Sequence, residues 1–207
     1  MAAARRRLIT AGLTLPLWAS AALLQGCERA AAPAPFKAVD ITGATYAQDL
    51  DLPDTEGRRR HLADFKGKLT VVFFGFTQCP DVCPTTMLEL AQVKKALGAD
   101  GDKVQGIFIS LDPERDTPEV LKAYVANFSP DFIALRGTLE ETQAAAKRFK
   151  IFYAKVPGKT EGSYLLDHTA GSFVFDTQGK VRLFTRYGAG GAEALKHDLS
   201  LLLKQGA

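Results

Sequence analysis

The fold class that the chain predicts is α/β, a central mixed β-sheet flanked by helices, and three observations predict it. A nearly continuous β-branched and aromatic run covers Leu69 to Phe76, as expected of a strand buried on both faces. A second apolar run covers Val104 to Ser110, with a helical stripe between the two. Late in the chain, Asp176-Thr177-Gln178-Gly179 separates two further strand signals as a turn, which makes the C-terminal part an antiparallel hairpin.

The chain does not start with the fold. Residues 1–27 have the layout of an export signal: a basic start at Arg5, Arg6 and Arg7, an apolar stretch from Leu8 to Leu24, then small residues. That stretch ends in Leu23-Leu24-Gln25-Gly26-Cys27, which resembles a bacterial lipobox, where a leucine and a small residue precede a cysteine that is acylated and becomes the new N-terminus. Gln25 is a less usual residue for the position between them. Acyl chains bury about 0.8 kcal/mol per CH₂, so a multiply acylated Cys27 would hold the chain stably on a membrane. An uncleaved anchor helix is the alternative, since the run is near the lower limit for crossing a hydrocarbon core of about 30 Å. Arg5-Arg6-Arg7-Leu8-Ile9 is also loosely similar to a twin-arginine signal, and either export route ends outside the cytoplasm, on the periplasmic side of a bacterial membrane. Residues 28–36, rich in Ala and Pro, read as a flexible tether. Residues 37–207 show no repeat and no second shift in composition, so they read as one domain.

Composition narrows the function classes. With 46% hydrophobic and 24% charged residues, the chain is neither disordered nor fibrous. Its 26 basic and 23 acidic residues give a net charge of +3, and setting the three leader arginines aside leaves 23 basic residues against 23 acidic. A neutral body carries no electrostatic footprint for nucleic acid, whose binding normally needs clustered Lys and Arg to release phosphate counterions, so nucleic acid is set aside as a partner.

Within the body, Pro84 to Leu97 carries Met87, Leu88, Leu90, Ala91, Val93, Ala96 and Leu97, a helical stripe opened by proline and closed by Gly98. Strand, helix, strand in this order implies a right-handed parallel crossover. A second helix follows Thr117-Pro118 to about Phe128, a short strand covers Phe132 to Leu135, and a third helix runs from about Leu139 to Lys150. The hairpin pairs Ser172-Phe173-Val174-Phe175 with Lys180-Val181-Arg182-Leu183-Phe184, and a final amphipathic helix occupies Ala192 to Leu203. That order is the one of a thioredoxin-like domain; a plain doubly wound sheet would need parallel connections where the hairpin stands.

With Cys27 assigned to the leader, the body holds two cysteines, Cys79 and Cys83, in the turn between the apolar strand and its helix. A spacing of four puts both side chains on one face of a helical turn, close enough for a disulfide or for two thiolates on one metal. A helix N-terminus favours the thiolate, which is both the redox nucleophile and the soft metal ligand. A structural disulfide is the bland alternative in an exported protein, although so short a loop gains little chain entropy from closure.

Of the three histidines, His61 and His197 lie among charged residues and read as solvated. His168 stands directly before the late hairpin, in a loop that faces the cysteine turn in a thioredoxin-like fold. Redox members of that fold place a cis-proline there, and this chain has no proline after Gly158.

These residues give the resemblance. Gly67-Lys68 before the apolar strand, Cys79-Pro80-Asp81-Val82-Cys83-Pro84, Asp112-Pro113-Glu114-Arg115-Asp116-Thr117-Pro118, and Asp167-His168-Thr169 occur in this order over about residues 50 to 205. Together they resemble the Sco/SenC family of copper-binding cytochrome c oxidase assembly proteins. The resemblance implies that Cys79, Cys83 and His168 bind one copper ion, and such a soft donor set suits Cu(I) and also holds Cu(II). Zn²⁺ would accept the same donors but would want a fourth, water or Asp81. Many members carry a histidine directly before the first cysteine, where this chain has Gln78. Of the nearby carboxylates Asp81, Asp112 and Asp167, Asp112 is expected to cap the turn that it starts, with steering of copper or a partner as the sharper reading.

The function implied is a membrane-tethered, extracytoplasmic copper metallochaperone, a carrier and not an enzyme. It would assist the copper centre of cytochrome c oxidase, with the copper-bearing oxidase subunit or another copper-trafficking protein as partner. The alternative is a thiol-disulfide oxidoreductase in which Cys79 and Cys83 form the redox-active pair and reduce a client protein. A peroxidase reading, through a sulfenic acid on one of the two cysteines, is the third.

Overall fold

A computed structural model describes residues 36–188 and 191–206 of the chain. The leader, Cys27 and nearly all of the proposed tether lie outside the described residues. In chain order the elements are β1 (Val39–Asp40), β2 (Leu52–Pro53), β3 (Arg59–Arg60), β4 (Leu69–Gly75), α1 (Val82–Ala96), β5 (Val104–Ser110), α2 (Pro118–Ala126), β6 (Ile133–Leu135), α3 (Leu139–Arg148), β7 (Tyr153–Pro157), β8 (Tyr164–His168), β9 (Ser172–Phe175), β10 (Val181–Thr185) and α4 (Gly191–Gln205). A six-stranded sheet runs β1-β10-β9-β4-β5-β6, while β2-β3 and β7-β8 form separate two-stranded sheets.

The sheet is mixed for the reason the sequence gives. β4 pairs parallel with β5 across the α1 crossover and antiparallel with β9, which is joined to β10 by the Asp176–Gly179 turn. All residues of β4 and β5 are buried, and side chains alternate between the faces. Phe73 meets Phe108, Tyr187 and His168 on one face, and Phe74 meets Phe149, just after α3, on the other.

Helix ends follow local chemistry. Thr117 caps α2 by accepting the Val120 N–H, with Pro118 in the first turn, where its missing N–H costs nothing. Thr138 and Glu141 form a capping box at α3. The predicted helices and the hairpin all form, with ends displaced by a few residues. α1 is the displacement that matters, because it starts at Val82 and not at Pro84 and so takes Cys83 into its first turn.

One correction concerns the segment that carries the late histidine. His168 is the last residue of β8, paired with Tyr153 of β7, and not part of a loop. The β7–β8 ribbon escapes a periodicity argument because it is half-exposed and lies outside the main sheet. Among the described residues no helix is long and apolar enough to cross a membrane.

Candidate metal centre

The parallel strands β4 and β5 end side by side at Gly75 and Ser110. In open α/β sheets the space beyond the carboxyl ends of the strands is where ligands bind. The chain leaves β4 through Phe76 to Asp81 and enters α1. Thr77 is fixed there by Asp116, whose carboxylate accepts the Thr77 hydroxyl at 2.6 Å and, from the other side, the Ser110 hydroxyl at 2.6 Å. Asp116 is fully buried, and burial pushes its carboxyl pKa up against the pull of these donors.

Cys83 lies in the first turn of α1, is fully buried, and fits because residue 75 is glycine: a Cβ there would stand 2.9 Å from the Cys83 Sγ and 2.8 Å from Phe73. Cys79, half-buried, precedes the helix and accepts the Cys83 backbone N–H on its sulfur at 3.5 Å. The sulfur thus serves an N–H of the first turn, which has no partner within the helix. Asp81, the N-cap residue, makes no side-chain cap of its own.

The two thiols differ in acidity. The Cys83 S–H donated to it, then His168 and the N–H groups of Asp81 and Cys83, hold Cys79 down to about 3 against burial. Cys83 is pushed up, first by donating its S–H hydrogen bond to Cys79 and then by burial. Of the two, Cys79 is the one disposed to lose its proton and Cys83 the one disposed to keep it. Both are free, with no disulfide between them.

His168 completes the group. Its Nε2 lies 3.6 Å from the Cys83 Sγ, and its Nδ1 lies 3.1 Å from the Thr169 carbonyl oxygen. The Thr169 carbonyl can accept an Nδ1–H, so that with a metal in place of the Nε2 proton the Nε2 lone pair would face the sulfurs. The rings of Phe73 and Phe76 stand edge-on to the imidazole, each with centroids 6.0 Å away, and exclude water from its flanks.

Cys79, Cys83 and His168 each offer one donor atom, all within 4.8 Å of one another. Bonds of about 2.3 Å to sulfur and about 2.0 Å to nitrogen allow donor separations up to about 4.6 Å around one ion. Small side-chain movements would therefore close the set. Two sulfurs and one imidazole with no carboxylate suit a soft ion such as Cu(I) and offer nothing to Mg²⁺ or Ca²⁺.

Of the predicted carboxylates, Asp81 and Asp167 are exposed and stand outside the donor group. Asp112 closes its turn through its carbonyl oxygen, which accepts the Arg115 and Asp116 N–H groups. Its side chain does not cap; it accepts Arg115 Nε at 2.5 Å and the Tyr164 hydroxyl at 2.8 Å. Gln78 is held by Arg115, at 2.9 Å from Oε1 to Nη1. His61 stands 3.7 Å from Asp51 and His197 is exposed on α4, both outside the donor group.

Sequence reasoning missed Asp116, Arg115 and Tyr164. A signal existed in the acid-rich segment directly after the buried strand β5, at the end of the sheet where sites form. The partners that tie them to the site, Thr77 for Asp116, Gln78 and Tyr164 for Arg115, lie 37 to 49 residues away, so nothing in that segment says what it would hold.

Comparison with known proteins agrees with this geometry. The family model described as SCO1/SenC matches residues 39–204. An SCO2-like protein of Rickettsia felis is 38% identical over 133 residues, 64% of this chain and 65% of that protein. The match thus spans just under two thirds of the relative's length. The solved structure of Bradyrhizobium japonicum ScoI with copper bound is 37% identical, with a TM-score of 0.67, covering 78% of this chain and 99% of that one. Arabidopsis thaliana ScoI with copper bound is 30% identical, with a TM-score of 0.70, covering 77% and 99%. A thioredoxin-like fold, two cysteines and a histidine brought together at the ends of its parallel strands, and a family match over most of the length lead to one assignment: the chain belongs to the SCO1/SenC family.

Proposed function

We propose that the chain is a copper carrier: it binds one copper ion through Cys79, Cys83 and His168 and hands it to the copper centre of cytochrome c oxidase or to another copper-trafficking protein. The observation that carries this reading is the convergence of the three donor atoms within 4.8 Å. Two relatives of the same fold are solved with copper bound, which supports copper over zinc.

The burial of the donors suits transfer. Cys79 and His168 are half-buried and Cys83 is fully buried, so an incoming ligand would displace the first two before the last. Copper is cargo here, and the chain turns nothing over. The lipobox-like Leu24-Gln25-Gly26-Cys27 supports a lipid tether at Cys27 after removal of the leader, with the domain on the outer face of a bacterial cytoplasmic membrane. Residues 28–36 would serve as the spacer.

A second reading, thiol-disulfide exchange with a client protein, is favoured by one observation: the Cys79 sulfur accepts the Cys83 N–H at 3.5 Å at the start of α1, a place that favours the thiolate. An anaerobic titration of the reduced protein with Cu(I) against a chromophoric competitor, beside His168→Ala, separates the two. The carrier reading predicts one-to-one binding that weakens at least about tenfold on substitution. Weak binding indifferent to His168, with thiol exchange intact, would leave the reductase.

A further inference from the structure

The donor set is split between two pieces of structure. Cys79 and Cys83 belong to the β4–α1 turn, whereas His168 ends β8 of a ribbon that shares no ladder with the six-stranded sheet. An isolated two-stranded ribbon is marginally stable in water, so side-chain contacts with the body must set where His168 stands. Leu166 supplies an apolar contact, 7% exposed, which holds the ribbon down without fixing its direction.

The directional contacts gather on Arg115, in the turn between β5 and α2. Its Nε donates to Asp112 at 2.5 Å, and its Nη1 donates both to Gln78 Oε1 and to the Tyr164 carbonyl oxygen, each at 2.9 Å. Its guanidinium carbon lies 3.6 Å from the centre of the Tyr164 ring. The Tyr164 hydroxyl donates to Asp112 at 2.8 Å and closes the circuit. On the other ribbon strand, Lys155 pairs with Glu114 at 2.5 Å. One guanidinium thus touches the residue before Cys79 and the strand that ends in His168. A planar fork with five donors in fixed directions is suited to this, and an ammonium is not.

We infer that Arg115 is the positioning residue of the centre: it joins the ribbon to the cysteine turn and so sets the distance between His168 and the two sulfurs. Asp112, 2% exposed, aims the guanidinium, and Tyr164 is the ribbon's grip. This role deepens the copper reading and rests on it for the affinity readout alone.

The test uses the full chain, reduced, as wild type, Arg115→Ala, Arg115→Lys, His168→Ala and the Arg115/His168 double variant. Metal-free protein is followed by NMR through the proximity of the His168 ring to the Phe73 and Phe76 rings, and Cu(I) binding by competition. The expected result is that Arg115→Ala and Arg115→Lys lose the ring proximity and bind Cu(I) about tenfold more weakly. In the His168→Ala background the Arg115→Ala change should have almost no further effect on affinity, because the two residues act through one contact. Equal weakening in both backgrounds, or unchanged proximity and affinity, would overturn the role. Should Arg115→Ala not fold, Tyr164→Phe, which removes one hydroxyl, carries the same cycle with a smaller loss expected. If wild type fails to bind Cu(I) while Arg115→Ala still loses the ring proximity, the positioning role stands and the copper reading falls.

Discussion

Cys79 and Cys83 are the same residue type at a spacing of four, and their surroundings give them opposite chemistry. The outer one is half-buried and made acidic first by the Cys83 S–H and then by His168 and the N–H groups of Asp81 and Cys83, and the inner one is buried against Gly75. A thiolate is the form that iodoacetamide alkylates, so the labelling rate reads the state of Cys79 directly. With a pKa of about 3, Cys79 should label at a level rate from neutral pH downward and slow only as the pH nears that value. An ordinary thiol, with a pKa of about 8.5, would instead lose about tenfold per pH unit below it. Cys83 should stay unlabelled until the protein unfolds. A rate for Cys79 that falls steadily from pH 8 would refute the assignment of its charge.

At the scale of elements, the two small ribbons show how polar side chains fix pieces that the main sheet does not. β2 and β3 are joined by a turn in which Asp54 accepts the N–H groups of Glu56 and Arg58 at 2.9 and 3.0 Å and pairs with Arg60 at 2.8 Å. The ribbon is pinned to the β6 edge by the Arg136 N–H donated to the Pro53 carbonyl, so it also covers an open strand. Burial pushes the Asp54 carboxyl up, but these donors outweigh it and leave the pKa below its ordinary value. A lowered folded-state pKa gives stability that is present above the unfolded value of about 3.9 and is lost as the pH falls through the folded one. Asp54→Asn should therefore cost about 1–3 kcal/mol at neutral pH, and the difference from wild type should shrink below about pH 4. Urea unfolding across that range checks both the size and the sign, and a cost that grows toward acid would contradict the account.

At the scale of the molecule, the parts legible in the sequence are those whose signals are local. β4 and β5 announce themselves by unbroken apolar runs, α1 by its stripe, and the β9–β10 hairpin by its turn, with Gly179 at a φ of +76° where a side chain would be strained. The donor trio was legible because cysteines and a stray histidine are rare in this chain and the motifs around them resemble a family. The β7–β8 ribbon was not legible, since its residues neither alternate nor join the core sheet. Nor was the role of Asp112, whose partner Tyr164 lies 52 residues away, so that a turn-capping reading had nothing local to oppose it. In the segment from Phe149 to Tyr153, Phe149 and Ile151 are buried in the core, while Phe152 is 61% exposed and donates its N–H to Thr169, next to His168.

The central claim is that one fold brings two sulfurs and one imidazole to a single copper ion, and X-ray absorption at the copper edge of the Cu(I)-loaded protein tests it most directly. The account predicts two sulfur neighbours and one nitrogen neighbour, with the nitrogen lost and both sulfurs kept in His168→Ala. A wild-type shell without nitrogen, or one that His168→Ala leaves unchanged, would contradict it.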